Sequence, residues 1–385
     1  MKYALSSKLC VIVSLSALLA CCGSGNSDAE PPGAEQEGSA FRLVPVFGDA
    51  AFDGPTDIEP IPGSPGEYLL VEKEGLIRLA NSETGSVTTL ADMGELVSAS
   101  GREEGLLSLA LTPDFERTGE LFVYYSADRP RRAVLSRLTF DGGAIDLDSE
   151  QVILDKPHER DRHWGGGMAF AEDGNLFLSI GDGSPHGDEF GNAQDLTDLE
   201  GSVLRLTITP SGYSIPADNP FTGNEQGFRE EVWAYGLRNP WRIALDAHTG
   251  ELWVADTGHA DWEEINVVEA GANLGWSIRE GFECFRAETC QEEGLVEPIA
   301  VYSHDEGCAI IGGHVYRGVS LRELQGRYIF GDFCAGTIWA VSKDEGRRIE
   351  ILDSDEQIYA FAEDQNGELL VLTAAGGIFR LTRAE

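Results

Sequence analysis

From about residue 41 to residue 385 the chain repeats one phrase: a glycine turn, a short apolar run, a second turn and often a second apolar run. Copies stand at Pro65-Gly66-Glu67-Tyr68-Leu69-Leu70-Val71, Gly119-Glu120-Leu121-Phe122-Val123-Tyr124 and Gly174-Asn175-Leu176-Phe177-Leu178. Three more begin at Gly250, Gly326 and Gly367, and several continue into a further run, as in Gly75-Leu76-Ile77-Arg78-Leu79 and Gly377-Ile378-Phe379-Arg380-Leu381. Short glycine-bounded runs with almost no helical periodicity predict strands and an all-β chain. Six units over this segment give about 57 residues each, enough for a four-stranded sheet with long loops. Radial repetition buries both faces of each sheet and leaves only short protected edges. A six-bladed β-propeller over residues 41–385 is therefore the economical fold, with a pair of β-sandwiches as the alternative. The copies are most widely spaced over residues 183–250 and 258–326, where the functional loops are expected.

Ahead of the repeats, residues 1–20 carry Lys2 and Lys8 and then an apolar run from Cys10 to Ala20, the plan of an export signal rather than a transmembrane helix. The run ends in Leu18-Leu19-Ala20-Cys21, which resembles a bacterial lipobox and implies a lipid on Cys21. Residues 21–40 are rich in Gly, Ser, Pro and Glu and read as a flexible tether. The expectation is an exported protein, anchored in the cell envelope, that touches membrane only through that lipid.

Once Cys10, Cys21 and Cys22 are assigned to leader and anchor, Cys284, Cys290, Cys308 and Cys334 remain and allow three pairings in an oxidising compartment. The short loop between Cys284 and Cys290 favours a local bridge, which would leave Cys308 to Cys334; no C-x-x-C spacing supports zinc. The formal charge of −38 argues against nucleic acid as a partner. It also means that an anionic ligand would need a local cluster of arginines.

Candidate chemistry concentrates at Arg162-His163-Trp164-Gly165-Gly166-Gly167, followed one hairpin later by Gly181-Asp182-Gly183. A histidine beside a glycine run that gives backbone access to a ligand, with a carboxylate returning toward it, is a way to build an oriented general base. Arg238-Asn239-Pro240 offers a charged fork and an amide in a stiffened turn, suited to carboxylates or carbonyl oxygens. No dinucleotide fingerprint with a βαβ context and no Gly-x-Ser-x-Gly elbow is present.

These blocks resemble the glucose/sorbosone dehydrogenase family, the soluble quinoprotein sugar dehydrogenases and their relatives. The resemblance extends through Glu104-Gly105-Leu106-Leu107-Ser108, Gly201-Ser202-Val203-Leu204-Arg205-Leu206, Trp262-Glu263-Glu264-Ile265-Asn266, Gly271-Ala272-Asn273-Leu274-Gly275-Trp276 and Val315-Tyr316-Arg317-Gly318. It implies oxidation of a sugar or other small alcohol, with His163 as base, Asp182 orienting it, and Arg238, Asn239 and Arg317 holding pyrroloquinoline quinone. It also implies calcium (Ca2+), on the carbonyls of Gly258 and His259 beside the cofactor and on Glu264 with the carbonyl of Leu274 nearby. The electron acceptor is left unspecified.

Four positions depart from the family pattern. Glu103 replaces a frequent glutamine, Arg162 precedes the base where the soluble glucose enzyme has a sugar-contacting aspartate, and Leu274 replaces a tyrosine. The last repeat, Ile358-Tyr359-Ala360-Phe361-Ala362-Glu363-Asp364, lacks two cofactor-holding arginines, for which Arg78 or Arg242 are candidate substitutes. Gly307-Cys308-Ala309-Ile310-Ile311-Gly312-Gly313 looks closer to a branch that includes the Hedgehog-interacting protein, where the propeller binds rather than oxidises. The alternative reading is therefore a non-catalytic cell-surface propeller that binds a protein or glycan.

Overall fold

The computed structural model describes residues 39–384; the leader, Cys21 and nearly all of the tether lie outside them. Six antiparallel sheets stand around an axis. Their innermost strands are Pro55–Pro60, Leu106–Leu111, Met168–Phe170, Pro240–Leu245, Ile310–Val315 and Ile358–Glu363, which open blades 1 to 6. Each touches the next, and the sixth touches the first, so the ring is closed. The fold is the six-bladed propeller that the repeats predict.

Burial along the strands explains why the sequence shows apolar runs rather than alternation. Second strands such as Asn175–Ile180, Tyr328–Asp332 and Leu369–Thr373 are buried along their whole length, because a blade packs against a neighbour on both faces. Outer strands such as Val87–Asp92 face water and return to mixed exposure. In five blades the first strand begins with an irregular register, for example between Pro55 and Asp57, Leu106 and Ser108, and Pro240 and Arg242. Such bulges re-aim the residues at a strand entrance. That entrance is one end of the axis, where the candidate site lies.

Closure is made by the start of the described chain. Phe41–Pro45 pairs with Ile378–Arg383 as the outer strand of blade 6, in register from Phe41 with Arg383 to Pro45 with Phe379. Ser39 and Ala40, at the end of the expected tether, already belong to the fold: the Ser39 hydroxyl donates to the Ile351 carbonyl and the Ala384 N–H to the Ala40 carbonyl. Cys284 is bonded to Cys290 and Cys308 to Cys334.

Truncation at Val46 leaves blade 6 with three strands and exposes the partners of buried Phe41. The expected loss is on the order of 2–4 kcal/mol, from one buried aromatic and a ladder of backbone bonds. A melting temperature equal to that of the full chain would contradict closure by this strand.

Candidate functional site

A cavity of about 620 Å³ opens at the end of the axis where the inner strands begin. Every blade but the third sends a residue to it from at or just before its first strand, including Gly54, Glu103, Asn239, Ala309 and Tyr359, and His163 comes from the approach to blade 3. Six loops distant in sequence thus converge because their blades are arranged radially.

His163 is 4% exposed and Asp182 has no exposed surface. The His163 Nδ1 lies 2.5 Å from Asp182 Oδ1. Asp182 also accepts the Ser184 N–H at 2.8 Å and the Trp276 indole N–H at 2.7 Å, and both of those groups can only donate. A carboxylate receiving such donors settles the imidazole proton on Nδ1, leaving Nε2 as the lone-pair nitrogen. Nε2 has no partner among the described residues, and the ring lines the cavity. His163 adopts a left-handed backbone (φ 55°), held by its N–H donating to Glu103 Oε2 at 2.6 Å.

Burial pushes the imidazole down, to about 3, with the nearby Arg238 cation acting in the same direction. Burial pushes the Asp182 carboxyl up, to about 7, against the Ser184 and Trp276 donors and Arg238. The pair therefore takes its first proton near 7 and holds an unprotonated imidazole with an ionised carboxylate above that.

The glycines beside His163 do not face the cavity. A side chain on Gly165 would strike the backbone of Ser179 and Gly181 at 2.9 Å, one on Gly181 the His163 carbonyl at 2.2 Å, and one on Gly167 the Ile243 nitrogen at 2.6 Å. The run serves close backbone packing between strands, which corrects its reading as room for a ligand.

Arg238 and Asn239 are brought to the cavity together. Their N–H groups donate to the two oxygens of buried Asp256 at 2.8 and 2.7 Å. The Arg238 guanidinium donates to the Thr257 carbonyl at 2.8 Å and lies 5.8 Å from the Trp276 ring. Asn239 accepts the Gly165 N–H at 3.1 Å and so ties blade 4 to the segment that carries the base. Arg317 is not brought there: it follows the inner strand of blade 5, at the far end of the axis, in a two-pronged ion pair with Asp246. The candidate substitutes are also engaged elsewhere, Arg78 with Glu72, and Arg242 with the carbonyls of Thr56, Leu107 and Trp241.

Sequence reasoning missed Lys73 and Arg102. Together with Arg162 and Arg238 they line the cavity, against one lining carboxylate, Glu103, among the described residues. Glu103 is already occupied by the His163 N–H and by Arg162 at 3.3 Å. Arg102 reaches across to within 5.6 Å of the Phe333 ring in blade 5, while the last repeat contributes Tyr359. The four cations answer the need for a local positive cluster in a chain of formal charge −38. They fit a planar polycarboxylate such as pyrroloquinoline quinone, with flat side chains at Trp241, Phe333 and Tyr359 beside them.

For calcium, Gly258 and His259 line the cavity, and their carbonyls accept no backbone hydrogen bond among the described residues. Deeper in blade 4, Glu264 and Asp256 stand opposite each other on adjacent strands, both buried. Burial and the neighbouring Asp256 push Glu264 up, to about 8. Two buried carboxylates side by side suit a divalent cation, which would lower both. Leu274 lies buried beside Tyr235, its N–H on the Tyr235 carbonyl at 2.9 Å.

A model of the Glucose / Sorbosone dehydrogenase family matches residues 52–380. The chain is 28% identical over 293 residues to the aldose sugar dehydrogenase YliI of Escherichia coli (strain K12), covering 69% of this chain and 76% of that one. It is 27% identical over 344 residues to the Hedgehog-interacting protein of Homo sapiens, covering 80% of this chain and 47% of that one. The chain spans about half the length of several curated relatives that it matches. Among solved structures, the PQQ-bound form of an aldose sugar dehydrogenase from Streptomyces coelicolor is similar with a TM-score of 0.71 and 23% identity, covering 89% of this chain and 98% of that one, a likeness of fold.

Trp276→Phe keeps the ring but removes the donor to Asp182 Oδ2. The expected result is a loss of about 1–3 kcal/mol in stability and a dyad that titrates higher still. Titration of the His163 ring by NMR reads this directly, and an unshifted titration would show that the indole does not hold the carboxylate.

Proposed function

We propose, since this chain belongs to the glucose/sorbosone dehydrogenase family, that it is a quinone-dependent dehydrogenase acting on a hydroxyl of a sugar. The observation that carries the proposal is the buried His163–Asp182 pair opening into a cavity with four cations and one carboxylate. His163 Nε2 would take the hydroxyl proton, while Asp182 holds Nδ1–H and stabilises the imidazolium that forms. Arg238, Lys73, Arg102 and Arg162 would bind the acidic groups of pyrroloquinoline quinone, and Asn239 would set its position. The carbonyls of Gly258 and His259 would bind calcium, and Glu264 with the Leu274 carbonyl would form a structural calcium site. When bound, the quinone would supply the acceptor for the hydride from the carbon bearing that hydroxyl, and calcium would supply Lewis-acid assistance. Arg317 has no part in this proposal. We place the protein outside the cytoplasm, anchored by lipid on Cys21.

Its likeness to the Hedgehog-interacting protein favours a second reading, a propeller that binds a partner without oxidation. The two part on one assay: dye reduction by protein loaded with quinone and calcium, over a panel of aldoses. The dehydrogenase reading expects turnover that falls about 10²–10⁴-fold in His163→Ala. Because the dyad takes up its proton near 7, kcat/KM is expected to be half-maximal near that pH, full from about one unit above it, and to fall as pH drops further. Absence of turnover with every sugar would overturn the dehydrogenase reading in favour of the second.

A further inference from the structure

A carboxylate at the mouth of a cavity built for an anion weakens the field that would draw the anion in. Glu103 is that carboxylate, the one acid among the described residues that line the cavity. It arrives from the loop ahead of Leu106–Leu111, the inner strand of blade 2, and reaches the segment that carries the base. Both of its oxygens are committed there. Oε2 accepts the His163 N–H at 2.6 Å and the Asn239 amide at 3.4 Å, and Oε1 stands 3.3 Å from the Arg162 guanidinium. Arg162 and Asn239 are two of the groups proposed to hold the quinone, so Glu103 competes for them.

The backbone bond alone does not require a charge. A neutral amide oxygen also accepts an N–H, and would hold His163 in its left-handed conformation (φ 55°) without opposing an anionic ligand. An amide does not balance cations, however. The charged and titratable groups that face His163 are Asp182 one hairpin on, Arg162 and His158 from its own segment, Arg238 and His259 from blade 4, and Glu103 from blade 2. Burial, Arg238, Arg162 and His259 all disfavour an imidazolium, and Glu103 acts against them. Asp182 holds Nδ1 but divides its charge among the Ser184 and Trp276 donors as well.

We propose that Glu103 is a positioning residue for the base: one oxygen fixes the His163 backbone, and its charge offsets the Arg162 and Arg238 cations so that Nε2 stays basic enough to accept a hydroxyl proton. The same charge weakens the hold on an anionic cofactor, so base strength and cofactor affinity are set against each other at one residue. The proposal rests on the reading that His163 takes a proton from the substrate.

Two variants of the full protein separate charge from backbone bond. Glu103→Gln keeps an acceptor for the His163 N–H and removes the charge, whereas Glu103→Asp keeps the charge and falls one methylene short of the N–H. NMR titration of the His163 ring, on protein without quinone, is expected to show the first protonation about one pH unit lower in Glu103→Gln and little changed in Glu103→Asp. In protein loaded with quinone and calcium, the acidic limb of kcat/KM moves down with it in Glu103→Gln. There kcat falls about three- to tenfold with KM held within about twofold, because a weaker base takes the proton less readily. Calorimetry of pyrroloquinoline quinone into calcium-loaded protein is expected to show several-fold tighter binding in the same variant. Lower turnover with a tighter cofactor is a combination that loss of a backbone staple does not produce. A His163 titration unmoved in Glu103→Gln, or moved equally in Glu103→Asp, would overturn the proposal. Should neither variant fold, Arg162→Gln reads the same balance from the other side: the ring is expected to titrate higher, and an unmoved titration would overturn the proposal too. A shifted titration in Glu103→Gln without turnover on any sugar would uphold the action of Glu103 on His163 and overturn the dehydrogenase reading.

Discussion

Asp182 has no exposed surface, and much of the site follows from what an ionisable group requires once water is removed. Leaving its charge without donors would be prohibitive, so the chain brings it three: an N–H from its own turn, an indole from blade 4 and the imidazole of His163. Its own N–H donates to the Arg238 carbonyl, and the Arg238 and Asn239 N–H groups are in turn held by Asp256. Buried carboxylates act in the same way elsewhere. Asp332 gathers the N–H groups of Cys308, Ala309, Cys334 and Ala335, and Glu280 gathers four from one turn. In this chain, acids withdrawn from water serve as staples that fix loops between strands.

That arrangement sets the chemistry at the mouth. Burial works against an ion pair between His163 and Asp182, and the donors to the carboxylate work for its ionised form. Above the pair's first protonation the balance leaves a neutral imidazole with one open nitrogen, the state required of a base. Arg238 and Arg162 both disfavour protonation of His163, which keeps its nitrogen free while lowering its basicity. In a protein of formal charge −38, gathering Lys73, Arg102, Arg162 and Arg238 around one cavity makes a local reversal of field that an anion entering from solvent would meet.

How much of this could be read from the chain depended on whether the signal was local. The blades were legible because each strand carries its own apolar run and glycine turn, and His163 and Asp182 were legible because they flank a single hairpin. The glycine run was legible as an anomaly but not in its purpose, since only the fold shows that Gly165 and Gly181 meet each other's strands. Arg317 was assigned to the cofactor by motif. It follows its inner strand rather than preceding it, and a strand of this length separates the two ends of the axis by about 20 Å. Lys73 and Arg102 reach the site from loops whose neighbours along the chain carry no motif, while Trp276 stands in a block of the family resemblance but its contact with Asp182 is visible only in the fold. Arg102, next to the conspicuous Glu103, carried the nearest thing to a signal.

The central claim is that these cations and the buried dyad together make a site for an anionic quinone. Titration calorimetry of pyrroloquinoline quinone into calcium-loaded protein tests it most directly, with Arg238→Ala and Arg102→Ala alongside. The account predicts saturable binding with one quinone per chain, weakened about tenfold or more in each variant. Absence of binding at high micromolar quinone, or binding indifferent to both arginines, would contradict it.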